Sequence, residues 1–537
     1  MVKKINLNKY QKIIGILLFL IYLGTCFLTV DDYGFTWDII YEDISGQTII
    51  QYYKNPSIDN KNSLMVSVQN HFYMPPKTAS ILIAGSSSIF AENKEISKRM
   101  TTSIPIVILS SLTLLLIYFF MLKEVGFKAA FFSSISFMLY PRLFEHVHNN
   151  MKDPIAMMVT VLFLFAFFRY FRTRKLIYAI FTSSAAAFLL HTKIYTIFAF
   201  LVVLAWIVWN WKETKYFLKS KKTLYHLIIG IVLFLGIINL LAPVYWKKLL
   251  FLNMFKIKSI LFKKTLYLGK FYFESLPNNY SIIMILITTP LIILFGLIYG
   301  LIYIIKELKD SNKKKTFYTL LILGFFIPLI RYPLFDIPVY DGIRQLMDSL
   351  PFMFMITGIG LTAAYDKIHK LLVLENNNNN NNLTNWLIII LFFLLFTIPL
   401  IMILQLHPHQ IAYYNPLVGG VEGAKGNFEL DYWGSSYKQG TEWINNHLPP
   451  GSTVMVPIAW HLPRYYLDEN INLVPGNQLE SLKKKDVFYI MTIDRGYYFS
   501  DNDKWVNWLN KGSIIYQIKA KNTPILDIYK INKTISV

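Results

Sequence analysis

An α-helical polytopic membrane protein of about eleven spans, followed by an extracytoplasmic α/β domain, is the architecture this sequence predicts. Three observations carry that expectation. Apolar residues make up 54% of the 537 positions and the mean hydropathy is +0.40, well above a soluble chain. Runs near the ~20 residues that cross a bilayer recur through positions 1–404. Beyond 404 the apolar fraction falls sharply.

Runs of spanning length lie at 12–30, 102–122, 154–171, 192–211, 226–246, 281–305, 317–332, 347–364 and 386–404. Two shorter runs, 129–145 and 176–190, complete the set, each short enough for a tilted or re-entrant piece. Lysine and arginine are retained on the cytoplasmic side of short loops, which sets the orientation. With the N-terminus inside, Lys3, Lys4, Lys9, Lys12, Lys123, Lys128, Arg169, Arg172, Arg174, Lys175, the basic stretches 212–222 and 306–315, and Lys367 and Lys370 all fall on that side. The outside loops at 141–153, 191–193 and 331–346 hold only Arg142, Lys152, Lys193, Arg331 and Arg344. One segment, 247–270, carries seven lysines on the outside and reads as an interfacial stretch.

The first run ends in Leu28-Thr29-Val30-Asp31 without a small-x-small cleavage pattern, so it reads as a retained anchor. Cys26, the single cysteine, lies within it and excludes a disulfide framework or a cysteine metal site. The run Asn376–Asn382 is a low-complexity insert in an inside loop. A membrane domain thus occupies 1–404, with a first outside loop at 31–100. The region 405–537 reads as a small α/β domain: a helix at 436–447, strands at 453–458, 486–492 and 513–518, and a helical 504–509.

Polar patches gather at the outside ends of the runs. Asp31, Asp32 and Asp38 follow the first span; carboxylates at headgroup depth suit a general base toward a hydroxyl or a divalent-cation ligand, and equally a charged collar that ends the helix. The stretch 141–153 collects Arg142, Glu145, His146, His148, Lys152 and Asp153. His146 and His148, two apart, do not share a helix face, so a two-histidine metal pair needs a strand or loop there. Asp153-Pro154 has the form of a helix start. Lys193 and Arg344 are isolated cations at the membrane boundary, suited to a lipid phosphate or to snorkelling among ordinary headgroups.

Seven motifs come in order along the chain: Thr36-Trp37-Asp38; Pro141-Arg142-Leu143-Phe144 running to Lys152-Asp153; Thr192-Lys193; Leu276-Pro277-x-x-Tyr280; Tyr340-Asp341-Gly342-x-Arg344; Tyr413-Tyr414-Asn415-Pro416-Leu417-Val418-Gly419-Gly420; and Asp431-Tyr432-Trp433-Gly434. Together they resemble the family 39 glycosyltransferases, the dolichyl-phosphate-mannose–protein mannosyltransferase-like proteins of the GT-C fold. The resemblance implies an inverting transferase that moves a sugar from a polyprenyl-phosphate carrier to an acceptor hydroxyl at the outer face of the membrane. It implies that Asp38 is the catalytic base. The family's following Glu is Ile39 here, and Glu42, one turn on, is the candidate to replace it. Asp153 matches a position near the donor site. Arg344 and Lys193, then Lys152 and Arg142, are the candidates for the leaving lipid phosphate, with Tyr340, Asp341 and Tyr280 in substrate binding.

The implied partners are a polyprenyl-phosphate sugar, membrane lipid, and an acceptor that is a protein hydroxyl, a lipid-linked oligosaccharide or lipid A; nucleic acid is not among them. A divalent cation is an option, and no other cofactor is implied. The motif set points to a bacterial cytoplasmic membrane with the site outside, ahead of an endoplasmic reticulum membrane. A transporter or flippase of lipid-linked sugars is the alternative. Transporters place ionisable residues near the midplane of broken, repeated helices, whereas these span interiors read as lacking Asp, Glu, Lys and Arg, without an internal repeat.

Overall fold

A computed structural model of the protein describes residues 8–55, 78–90, 97–241, 264–273, 275–309, 314–335, 339–375, 381–482, 485–495 and 504–532. Eight helices among them are long and apolar enough to cross a bilayer: Lys9–Asp32, Lys98–Glu124, Asp153–Thr173, Lys221–Leu241, Leu291–Lys309, Lys315–Leu334, Arg344–Leu372 and Thr384–Leu406. A ninth candidate, Tyr195–Trp209, bends by 104° into Trp211–Leu218. The two short runs appear as the apolar helices Phe127–Met138 and Leu176–Thr192. The chain is a multi-pass membrane protein. Most of the lysine-rich segment 247–270 and the asparagines 376–380 lie outside the described residues.

Three features depart from the expected spans. The run 129–145 ends early, at Met138, and Pro141 opens a separate helix, Pro141–Asn149, whose side chains are all buried. Proline at the first helical position fits, because that N–H has no intrahelical partner anyway. The run 281–305 is two helices, Tyr280–Thr288 and Leu291–Lys309, parted at Pro290. Third, the spans are not free of charge at their ends. Arg331 of helix Lys315–Phe335 meets Asp348 of the 3-10 turn Arg344–Ser349 at 2.7 Å, both side chains buried.

The break at Pro290 frees backbone carbonyls in an apolar setting, and a distant residue satisfies them. The Asn415 amide donates to the carbonyls of Leu286 (2.7 Å) and Thr289 (2.8 Å), and its backbone N–H donates to Ile287 (2.8 Å). An unpaired buried polar group costs about 1–3 kcal/mol. Asn415→Ala, which orphans two carbonyls, is therefore expected to lower the melting temperature in detergent clearly, and Asn415→Asp, which has no amide donors, is expected to do the same.

Two helices that follow the first span, Ile39–Lys54 and Thr78–Ile89, cross in close contact. A Cβ at Gly46 would collide with the Ser80 carbonyl, so the glycine permits the crossing. Its consequence is that Ser80 stands beside Glu42.

The remaining architecture is β-rich. A hairpin pairs β1 (Thr265–Tyr267) with β2 (Lys270–Tyr272). The C-terminal sheet has β3 (Thr453–Val456), β4 (Asn472–Pro475), β5 (Val487–Ile493), β6 (Ser513–Ala520) and β7 (Thr523–Asn532) in the order β4-β3-β5-β7-β6. β3 runs parallel to β4 and β5, and β7 antiparallel to β5 and β6. β5 is buried on both faces, which explains its nearly unbroken apolar run. Phe488 and Ile490 pack on Trp505 and Leu509, while Met491, with Leu526, meets helix Tyr437–His447 at Gly440. β4 and β7 were not anticipated. One apolar cluster runs from the membrane helices into this sheet through Tyr437, Val454 and Met491, so the two parts share a core.

Candidate active site

Four elements end at one place. Asp38 precedes helix Ile39–Lys54, Asp153 opens helix Asp153–Thr173, Lys193 follows helix Leu176–Thr192, and Arg344 opens the turn Arg344–Ser349. Asp153 is positioned by its own loop. The Asn150 side-chain carbonyl accepts from the N–H groups of Lys152 (3.2 Å) and Asp153 (3.0 Å), and its amide donates to Asp153 Oδ2 at 2.8 Å. Asparagine side chains close such turns by mimicking a backbone carbonyl.

Arg344 is the hub. Its guanidinium reaches three carboxylates: Asp38, Asp153 (3.2 Å) and Asp341 (2.9 Å). Five N–H donors in a planar fork make this possible for arginine and not for lysine. Its face lies 4.7 Å from the Trp433 ring centroid, a cation–π contact. Lys193 bonds Asp153 and Gln345 Oε1 (3.2 Å), and Tyr195 donates to the same Asp153 oxygen as Lys193. Lys152 pairs with Glu42, which also accepts from Ser80. The Asp38 side chain keeps 32% exposure while that of Asp153 is fully buried, so Asp38 is the more accessible carboxylate.

The reading of Arg344 and Lys193 as isolated cations is corrected: each is held by carboxylates from distant elements, a pairing that sequence separation hides. The three carboxylates converge on a guanidinium. Among the described residues no three His, Cys, Asp or Glu side chains gather to hold a metal. The two-histidine pair, which needs a strand or loop, does not form on this stretch. His146 and His148 lie on a helix and turn to different partners, His146 toward Trp433 (5.2 Å between rings) and His148 toward Thr29 (3.0 Å).

The other candidates sit around this hub. Asp341, fully buried, joins Arg344 to Arg495 (2.8 Å), which also meets Glu429 (3.2 Å) and the Tyr432 carbonyl (2.9 Å). Tyr280 is buried and accepts from the Gly342 N–H at 3.0 Å, so it fixes the turn that carries Asp341. Tyr340 is half-buried on that turn. Arg142 is fully buried; its Nε donates to the Tyr413 carbonyl at 2.8 Å and its guanidinium covers the Tyr414 ring at 4.3 Å. Arg495, Glu429 and Tyr195 escaped the sequence reading, and Asn150 and Gln345 fell within its polar patches without a role. Arg495 offered one signal, a cation two residues after an apolar strand.

Glu145 lies behind this cluster. Burial pushes its carboxyl up to about 8, against the donors Ile411 N–H, Asn149 and Ser435 that favour the charged form. Its stabilising effect is present below the unfolded value near 4.5 and is lost as pH rises through about 8. Burial pushes His146 and His148 down to about 3, which acts the other way, because their unfolded imidazoles lose protons around pH 6.5. The Glu145 contribution is therefore read as a difference: between about pH 4.5 and 8 the melting temperature of Glu145→Gln is expected to rise relative to that of the wild type as pH rises.

No protein-family model matches the chain, and no curated protein matches it. Solved structures do. ArnT from Cupriavidus metallidurans in the apo state aligns over 97% of this chain and 98% of its own, with a TM-score of 0.52 at 11% identity. The same protein bound to undecaprenyl phosphate aligns over the same shares, also at 11% identity, with a TM-score of 0.51. The chain has a GT-C fold. The archaeal oligosaccharyltransferase AglB from Archaeoglobus fulgidus aligns over 90% of this chain and 70% of its own at 10% identity, with a TM-score of 0.47. The likeness is to the GT-C fold at large and does not single out family 39.

Proposed function

We propose that this GT-C protein is a membrane glycosyltransferase that moves a sugar from a polyprenyl-phosphate donor to an acceptor hydroxyl at the outer face of the membrane. The observation that carries the proposal is the convergence of Asp38, Asp153, Lys193 and Arg344 from four elements, with Asp38 the most exposed. The ArnT structure that holds undecaprenyl phosphate supports the donor class.

In this reading the acceptor oxygen attacks the anomeric carbon, a new C–O bond forms, and the bond to the phosphate oxygen breaks with its electron pair going to the phosphate. Asp38 takes the acceptor proton. Arg344 and Lys193 receive the charge that develops on the leaving phosphate. Arg344 also pairs with Asp38, so a donor phosphate competes with that carboxylate for the guanidinium. Asp153 anchors both cations, Lys152 stands by on Glu42, and Asp341 and Tyr280 hold the turn that presents Arg344.

A transporter has less support, because the helix break at Pro290 is filled by Asn415 and the charge cluster lies at span ends. The test is the lipid extract of a deletion strain. An accumulated polyprenyl-phosphate sugar, absent from the complemented strain, supports the transferase. An unchanged extract rejects it.

A further inference from the structure

Beside Asp38 lies an aromatic cluster with no part in the donor half of the site. Trp37 and Tyr41 come from the segment that follows the first span; Trp460 and His461 come from the loop that follows β3. The His461 ring is 6.1 Å from Trp37, 5.4 Å from Tyr41 and 6.5 Å from Trp460. It lies within electrostatic reach of Asp38. Its Nε2 has no hydrogen-bond partner among the described residues. Ala459 holds the loop at φ +55°, a left-handed conformation that is unfavourable for a residue with a Cβ and persists where its surroundings enforce it.

Ordinary packing between the two segments accounts for the neighbours and not for this cluster. Phe35 and Tyr466, a few residues away, are joined by stacked rings at 5.8 Å, and the Tyr466 hydroxyl accepts from the Phe35 N–H at 2.8 Å. Phe35 is buried by that contact. Tyr41 and Trp460, in contrast, keep 38% and 37% of their surface exposed. Half-exposed rings around a histidine whose Nε2 is buried behind them, next to the proposed base, form an apolar aromatic surface at Asp38.

We propose that Trp37, Tyr41, Trp460 and His461 form the acceptor subsite, and that the acceptor presents a sugar ring there. The proposal rests on the transferase reading above and adds the acceptor class. A pyranose carries a face of C–H groups that covers an aromatic ring and hydroxyls at its rim, one of which can reach Asp38 beside these rings. A serine or threonine in an extended peptide has one hydroxyl and no such face. The donor phosphate is met by Arg344 and Lys193, so the attacking hydroxyl must come to Asp38 away from them, which is where a second element contributes these rings. The acceptor is thus a glycan, free or lipid-linked, and its own hydroxyl gives its proton to Asp38 as the bond to the transferred sugar forms.

The test compares the cell envelope of the deletion strain with strains complemented by the wild type, Trp460→Ala, Trp460→Phe and Tyr41→Ala. Each variant's level in the membrane and its binding of undecaprenyl phosphate report that it is folded. The expected result is one sugar residue missing from the glycan or glycolipid fraction of the deletion strain, with Trp460→Ala and Tyr41→Ala restoring about tenfold less of it than the wild type, the scale of losing one anchoring ring. Trp460→Phe, which keeps a ring, is expected to restore most of it. A sugar missing from protein serines or threonines instead, or full restoration by folded Trp460→Ala and Tyr41→Ala, overturns the assignment. If no polyprenyl-phosphate sugar accumulates in the deletion strain, the transferase reading itself fails, and the subsite with it.

Discussion

Asp38→Asn is expected to reduce sugar transfer by about 10²–10⁴-fold, the usual contribution of a general base, while the protein inserts and folds. Asparagine keeps the shape and the hydrogen-bond acceptor that faces Arg344 but cannot take a proton at working pH. Asp31 and Asp32 are the controls. Asp31 accepts from Ser97, and Asp32 meets His407 at 2.9 Å, so both belong to the collar at the end of the first helix. Their Asn variants are expected to stay within a few-fold of the wild type. Glu42→Gln is expected to fall between, because it loosens Lys152 beside the base. The obvious repair of the family pattern, Ile39→Glu, is not expected to help: Ile39 is 1% exposed and part of the apolar core, where a carboxylate has no partner. Transfer rates and melting curves on the same preparations separate these outcomes.

Arg344→Ala has the second large effect, and it differs from what an exposed interfacial arginine would give. Its side chain is 6% exposed and neutralises three carboxylates. Removing one partner of a buried ion pair typically costs about 3–5 kcal/mol, because the remaining charge is stranded. The variant is expected to lose turnover and to melt at a markedly lower temperature, with undecaprenyl phosphate stabilising it less than the wild type. Arg344→Lys is expected to regain part of the stability and less of the activity, since one ammonium cannot bridge Asp38, Asp153 and Asp341 together. Normal melting with lost turnover would show that the carboxylates do not depend on Arg344.

The parts of the site that could be read in the sequence are those that sit at ends of apolar runs. Asp38, Asp153, Lys193 and Arg344 each follow or precede a span, and a charge-based topology puts them on one face, which is enough to propose that they meet. Their pairing could not be read. Arg344 is separated from Asp38 by 306 positions and from Asp153 by 191, and nothing local in a sequence says which carboxylate a cation will find. The C-terminal contribution was hidden for the same reason: Arg495 reaches Asp341 across 154 positions. The break at Pro290 was visible as a proline in an apolar run, but its repair by Asn415 was not. Tyr195 and Gln345 were passed over because an uncharged residue beside a lysine or an arginine carries no signal until its neighbours are known. Burial of the whole helix Pro141–Asn149, and with it the raised carboxyl of Glu145, runs against a polar composition that reads as a surface loop.

The most direct measurement is made on purified protein in detergent with a defined polyprenyl-phosphate sugar and a glycan acceptor, following released polyprenyl phosphate and the anomeric configuration of the product together. The account predicts one polyprenyl phosphate released for each sugar transferred, inverted configuration, and neither product from Asp38→Asn. Retained configuration, or transfer by Asp38→Asn at the wild-type rate, would contradict it.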